Sequence, residues 1–479
     1  MSTENRFQLV RALTLRDLIL FNIVAVTSIT TLTTSAKLGM SALTLWLFAA
    51  VFFFIPQGLA VIELSSRFPE EGGIYSWTKL AFGEGHGFLC GWCYWINNVL
   101  FYPTVLLSAA VVSTYAIGQG ESGLKDNWIY LLTFTFCGIS LAAILNIVGV
   151  GTGKWLQNIG GASIFVPGII LIALGVYGIF TQPPANPLTV EQFRPGVTNL
   201  SGLNLWATVA FGYAGLELSS TMGREIQNPS RNLPNSIYVS APIIACIYIL
   251  GTGSLLWFVP THEVNIITGP FQAVSVGVHN HLGSMWWLVP LAAVASTIGR
   301  LGGVGAWLIG PSRVAFVIGL DRYFPPAFGR VHPRWRTPYV AILVQAVLAL
   351  IFLLISVLGK GMKVEAAFLI LLDTSLLIYF IPYIYLFICF LSHCRRARAH
   401  NHVLKVPGGW SGALLIGLSG LSVTLFSMVA ALVPPPDTPN PWVFEAKIIG
   451  GTIFFVMLGV INYWRAKRVQ VRRTPHQSV

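Results

Sequence analysis

Charged residues are scarce in this chain. Only 10% of its 479 residues are Asp, Glu, Lys or Arg, against about 25% in soluble globular proteins. The AVILMFWYC set makes up 54%, and the mean hydropathy is +0.71. The 29 basic and 17 acidic side chains cannot cover the outside of a soluble fold this apolar. A soluble enzyme, a nucleic-acid module and a disordered chain are therefore excluded. Strict polar–apolar alternation is missing too, which excludes an outer-membrane barrel. Six cysteines form no disulfide framework, and no second pair or histidine completes a metal or redox site with Cys90 and Cys93. No HExxH spacing, Walker loop or dinucleotide fingerprint occurs, so neither an enzyme nor an ATP-driven pump is expected, and no cofactor. The N-terminus has no apolar h-region with a cleavage site, so no signal peptide is expected.

What is present is a series of long apolar runs. Stretches free of Asp, Glu, Lys and Arg occupy 38–62, 127–153, 155–190, 232–261, 337–359 and 406–436, each about the length of a bilayer crossing or more. The expected fold is an all-α polytopic membrane protein whose partner is the lipid bilayer. Twelve helices are expected, at 16–36, 42–65, 88–117, 128–149, 156–180, 202–222, 237–259, 286–311, 338–358, 366–391, 410–433 and 444–464. The net charge of +12 sits at the ends of these runs and not on one face, so no nucleic-acid partner is expected. With both termini cytoplasmic, inner segments hold 22 Lys and Arg and outer loops 6, as the positive-inside rule requires. That places the protein in the cell membrane with both ends inside.

Two expected helices carry sequence poorly suited to continuous helix. The first holds Ala25-Val26-Thr27-Ser28-Ile29-Thr30-Thr31, rich in β-branched and hydroxyl side chains. The sixth holds Phe211-Gly212-Tyr213-Ala214-Gly215-Leu216-Glu217. Interrupted segments at matching places in two halves point to a transporter site; their alternative is small-residue packing between helices. A broken helix bares N–H groups that attract a carboxylate and C=O groups that attract an ammonium. A zwitterionic amino acid supplies both.

Charges within a bilayer are costly and usually functional. Glu217, Arg300 and Asp373 are such charges, and Glu63 is expected at the interface. Glu217 reads as a gate that can load or lose a proton, or as an acceptor bracing the broken helix. Arg300 reads as an attractor for an anionic group, or as the ion-pair partner of Asp373 or Glu217. For Asp373 the pairing role is preferred. Phe211, Tyr213, Tyr102, Trp95 and Trp307 stand where they can line a pore, and Phe211 gains most from its place in the break.

These residues carry a family resemblance. Phe211–Glu217 followed by Glu225-Ile-Gln-Asn228-Pro229, the stretch Glu63–Trp77, and Ala306–Arg313 with Lys405–Gly409 together resemble the amino acid–polyamine–organocation (APC) superfamily. The last two segments are similar to the bacterial glutamate/GABA antiporter branch. The resemblance covers roughly residues 15–465 and implies a five-plus-five inverted repeat (LeuT-like), at 16–180 and 202–391. Two appended helices at 410–464 and cytoplasmic tails at 1–15 and 465–479 complete it. It implies an amino acid permease working by alternating access, with helices 1, 2, 6 and 7 rocking against 3, 4, 8 and 9. Its implied substrate contacts are Ser28, Ile29, Thr30, Phe211, Tyr213, Ala214, Gly215 and Trp307, with Glu217 coupling or gating. Helix 1 departs from the family's Gly-Ser-Gly-Ile, having Ser28-Ile29-Thr30-Thr31. The chain ends soon after helix 12, so the plugging tail of acid-resistance antiporters is not expected. Exchange, proton symport through Glu217 and, last, sodium coupling through Ser296 and Thr297 remain open, as does a polyamine or cationic amino acid carrier. A non-transporting receptor is a minor alternative.

Overall fold

The computed structural model describes residues 9, 11–120, 122–195, 202–281, 283–358, 364–399, 405–434 and 440–473. Eighteen α-helices occupy these residues, joined by short 3-10 turns, and strand pairing is confined there to isolated bridges. They are α1 Leu15–Val26, α2 Ile29–Ala36, α3 Ser41–Ala49, α4 Ile55–Arg67, α5 Ile74–Phe82, α6 Glu84–Ala116, α7 Trp128–Val148, α8 Val150–Ser163 and α9 Phe165–Thr181. Then come α10 Val190–Phe193, α11 Gly202–Gly212, α12 Pro229–Phe258, α13 Gly269–His281, α14 Leu288–Leu320, α15 Tyr339–Leu358, α16 Val364–Ala399, α17 Gly409–Ala430 and α18 Pro441–Arg473. Among the described residues, nine helices are long and apolar enough to cross a bilayer. The expected crossings at 16–36 and 202–222 fall instead on a broken pair and on the shorter apolar helix α11, while α15 at Tyr339–Leu358 matches the bounds expected at 338–358.

The first helix breaks where its sequence turns to threonine and serine. Thr14 and Asp17 form a capping box that starts α1. Thr27 and Ser28 are extended, and Ser28 then caps α2, its Oγ accepting from the Thr31 N–H at 3.4 Å. The sixth crossing runs as α11 only to Gly212, ten residues short of the expected end at 222. Gly215 follows at φ +129°, and only 3-10 turns appear from Leu218 to Glu225. A side chain at Gly215 would also stand 3.1 Å from the Trp307 ring.

Prolines inside helices are tolerated where a neighbour takes over the hydrogen bond they remove. The eighth crossing was expected to stop at Pro311, yet α14 continues to Leu320. Pro311 leaves the Trp307 carbonyl without its helical N–H donor. The Tyr102 hydroxyl on α6 donates to that carbonyl at 2.7 Å instead. Likewise α3 passes through a π-turn at Ala50–Phe54 into α4, where Pro56 frees the Phe52 carbonyl, and Ser419 of α17 donates to it at 2.8 Å. The helices ending at 391 and 464 by hydropathy run on to Ala399 and Arg473, because their charged last turns stand beyond the apolar layer.

The core of the bundle is α14, packed against α6, α8 and α1. Close approach of α8 to α14 rests on facing glycines: a Cβ on Gly160 would lie 2.7 Å from the Gly302 Cα. Small residues at such crossings let helix backbones touch in lipid, where burial from water gives no drive.

Candidate functional site

Both breaks meet at one side chain. The Tyr248 hydroxyl, on α12, accepts from the Ser28 N–H at 2.9 Å. Its own proton faces the Val26 carbonyl at 2.7 Å and the Gly212 carbonyl at 3.0 Å. One phenol thus satisfies backbone groups orphaned on either side of the break in the first crossing and at the end of α11. Trp307 fixes the same region from α14, donating its indole N–H to the Ala25 carbonyl at 2.8 Å.

Two adjoining cavities flank the α1/α2 break. One is lined by Ala25, Ser28, Asn97, Phe101, Phe211, Ala214, Trp307 and Tyr379 among others. Phe101, Phe211, Tyr379 and Trp307 form an aromatic ring around it, each neighbouring pair edge-to-face with centroids 5.8 to 6.0 Å apart. The other cavity shares Ser28, Thr31 and Trp307. It runs between α2, α6 and α14 to Thr34, Thr104, Ser108, Ser296 and Arg300, with Ile29 on its wall.

Glu217 lies beside the first cavity, wholly buried. Its Oε1 accepts from Tyr379 at 2.5 Å and Tyr94 at 3.1 Å. Its Oε2 accepts from Tyr383 at 2.5 Å and from the Gln57 amide at 3.2 Å. The Tyr383 oxygen also accepts from the Gly215 N–H at 2.7 Å, tying the carboxylate to the unwound backbone. Four neutral donors from α4, α6 and α16 therefore surround this acid.

The structure gathers Ser28, Ile29, Phe211, Ala214, Trp307 and Arg300 along the two cavities and sets Gly215 and Glu217 against them. It moves two expected residues away. Tyr213 faces the other side, stacked on Phe54 at 4.4 Å and edge-on to Trp46 at 4.9 Å, because the turn after Gly212 directs alternate side chains oppositely. Asp373 lies apart from both cavity linings and accepts from Asn204 of α11 at 3.2 Å. The expected Arg300 pairings are replaced: Arg300 donates to Ser108 at 2.5 Å and Ser296 at 3.4 Å, while Glu217 has its tyrosines. With its Oγ facing a guanidinium, Ser296 is a poor sodium ligand, and Thr297 bonds back to the Ala293 carbonyl at 2.8 Å. The Thr30 side chain lies outside what the structure describes. Glu63 is buried within the protein and holds Arg67 and the Lys405 N–H. Tyr102 holds the Trp307 carbonyl and does not line the cavity, and Trp95 packs on Phe324. Sequence reasoning missed Tyr248, Tyr94, Tyr379, Tyr383 and Gln57; only the i, i+4 spacing of Tyr379 and Tyr383 hinted at a shared face.

The end of the bundle that carries the N-terminal segment is sealed. The Ala12 and Leu13 N–H groups donate to the Glu225 carbonyl at 2.9 and 3.0 Å. Lys154 bridges Asp17 and the Ala12 carbonyl at 3.1 and 3.2 Å. Arg313 of α14 grips Glu225 through two 2.9 Å bonds, both residues buried. Glu71, in the loop after α4, accepts from the Arg224 N–H at 2.9 Å. Burial first, and the Glu225 charge second, push its carboxyl up to about 8, against the pull of Arg224 and Arg313. An acid raised in the folded state stabilises it most at low pH, and that contribution is lost as pH climbs from its ordinary value through about 8. The thermal midpoint of the purified protein should accordingly fall between about pH 5 and about pH 8. Glu71→Gln should flatten that fall; an unchanged slope would show that Glu71 does not titrate there.

A polytopic bundle with a small cavity where two crossings are broken, sealed at one end, defines a secondary transporter. The amino acid permease family model matches residues 13–455, and the chain belongs to that family. It is 32% identical to an uncharacterized transporter of Legionella pneumophila, over 94% of this chain and 96% of that protein. A probable agmatine/putrescine antiporter of Lactococcus lactis is 24% identical over 91% of each chain. A glutamate/gamma-aminobutyrate antiporter of the same species is 24% identical over 81% of this chain and 77% of its own. The fold is shared with the crystal structure of MhsT in complex with L-phenylalanine: TM-score 0.65, 16% identity, 87% of this chain and 98% of that one. The chain is thus a LeuT-like secondary amino acid transporter and a multi-pass membrane protein.

Proposed function

We propose that the protein carries a zwitterionic amino acid by alternating access, holding it between the break at Thr27–Ser28 and the end of α11. The α-carboxylate would sit at the N-terminus of α2, on main-chain N–H groups of Ile29 and Thr30. The ammonium would meet carbonyls of Phe211 and Ala214, and the side chain would lie within the ring of Phe101, Phe211, Tyr379 and Trp307. Ser28 would shape the carboxylate pocket, and Gly215 would let Trp307 close on the unwound strand. The single observation that carries this reading is the joining of both breaks by Tyr248 beside one cavity. Twelve crossings in two inverted halves, 16–180 and 202–391, with both termini cytoplasmic, complete the proposal; the sealed end would then be the cytoplasmic gate. Glu217 would carry a proton if transport is proton-coupled, and only gate the site if it is exchange.

Counterflow of radiolabelled amino acids into preloaded proteoliposomes tests the reading; no counterflow with any amino acid overturns it. Trp307→Ala should reorder substrate preference more than it lowers expression, since it removes the wall and its bond to Ala25. A polyamine carrier is the runner-up, in keeping with the second relative above, but Arg300 in the adjoining cavity opposes a dication.

A further inference from the structure

The second cavity runs from the break to Arg300, and its composition is directional. Three helices present polar side chains to it at helical spacing: Thr31 and Thr34 on α2, Thr104 and Ser108 on α6, Ser296 and Arg300 on α14. The α14 face reads Ser296, Gly299, Arg300, Gly303, Trp307, all on the lining. Arg300 and Trp307 are seven residues apart, two turns, or about 10 Å along the helix axis. Gly299 and Gly303 flank Arg300 on this lining, and Gly303 lies between Arg300 and Trp307. Trp307 is bonded to the break itself, and one continuous lining runs from there to Arg300. Arg300 is 8% exposed and steadied by the Ser108 and Ser296 hydroxyls from two helices. Among the described lining residues Arg300 supplies the charge, and the other polar side chains are hydroxyls.

We propose that the site selects amino acids whose side chain ends in a carboxylate, with Arg300 as the specificity-determining residue. The inference rests on the proposed placement of the zwitterion at the breaks and adds the substrate class. A guanidinium receives a carboxylate through paired N–H donors in a fixed plane, which a lysine ammonium cannot reproduce. A neutral aliphatic side chain would leave the buried cation facing methyl groups, and an amine-ended one would set like charges together.

The test is counterflow in proteoliposomes with labelled glutamate, aspartate, leucine and putrescine, in chloride and in gluconate buffer. Wild-type exchange of glutamate or aspartate should exceed that of leucine by about tenfold or more and be indifferent to chloride; one tenfold corresponds to the binding difference of a single charged contact. Arg300→Gln should lower the acidic-to-leucine ratio about tenfold, and Arg300→Lys should restore part of it. Leucine moving as well as glutamate in the wild type overturns the proposal, whatever the variants do. So does an acidic flux that tracks chloride, which would make Arg300 a site for an inorganic anion. An equal loss of all substrates in Arg300→Gln makes the residue structural and overturns the assignment. Exchange of putrescine alone overturns the amino acid reading beneath it as well.

Discussion

Glu217→Gln is expected to slow amino acid uptake about ten- to a hundredfold and to flatten its dependence on pH. The native carboxylate accepts at both oxygens, from Tyr379 and Tyr94 on one and from Tyr383 and Gln57 on the other. An amide offers one oxygen. In either orientation its NH2 faces two donors, and each buried donor left unpaired costs about 1–3 kcal/mol. Because Tyr383 also receives the Gly215 N–H, the mismatch reaches the unwound segment that must move. The purified variant should remain monodisperse, since the surrounding aromatic packing is untouched. Uptake measured across pH decides between the two roles of the acid. A flattened profile assigns the proton to Glu217; an unchanged profile with lowered rate leaves it as the brace of the break. Tyr94→Phe, which removes only the longest of the tyrosine bonds, should cost much less.

Arg313→Ala is expected to open the sealed end. Arg313 and Glu225 form a bidentate pair with side chains 0% and 1% exposed. Removing one partner of such a pair leaves a buried charge uncompensated, at about 3–5 kcal/mol. A closed conformation weakened by that amount loses population about a hundredfold or more relative to the open one. Hydrogen exchange of residues 223–228 should rise accordingly, while exchange along α14 above Pro311 stays slow. If both rise together, the pair supports the whole fold and not the gate. Arg313→Ala with Glu225→Gln should recover part of the closure, because no ion is then stranded.

The long apolar helices, the two breaks and the membrane class were legible in the sequence because each depends on near neighbours. Twenty apolar residues span a bilayer whatever lies beside them. A run of Thr and Ser, or a glycine at φ +129°, disfavours helix locally. Helix ends were less legible. The stop expected at Pro311 fails because Tyr102, two hundred residues earlier, supplies the missing donor at 2.7 Å. Tyr213 was placed at the substrate because it lies in the break; the local turn sends it toward Trp46 and Phe54.

From its sequence alone this protein was determined to be a broken-helix membrane transporter, and the charges buried within it were named. What those charges do was decided by the packing. Glu217 meets Tyr379 across 162 positions of chain, and the Ser28 N–H meets Tyr248 across 220. Such pairs are created when helices rotate to fill space against one another, and rotation depends on every side chain along the seam. A residue's own neighbours carry its helical tendency, but its partner across the bundle is set by the assembled core.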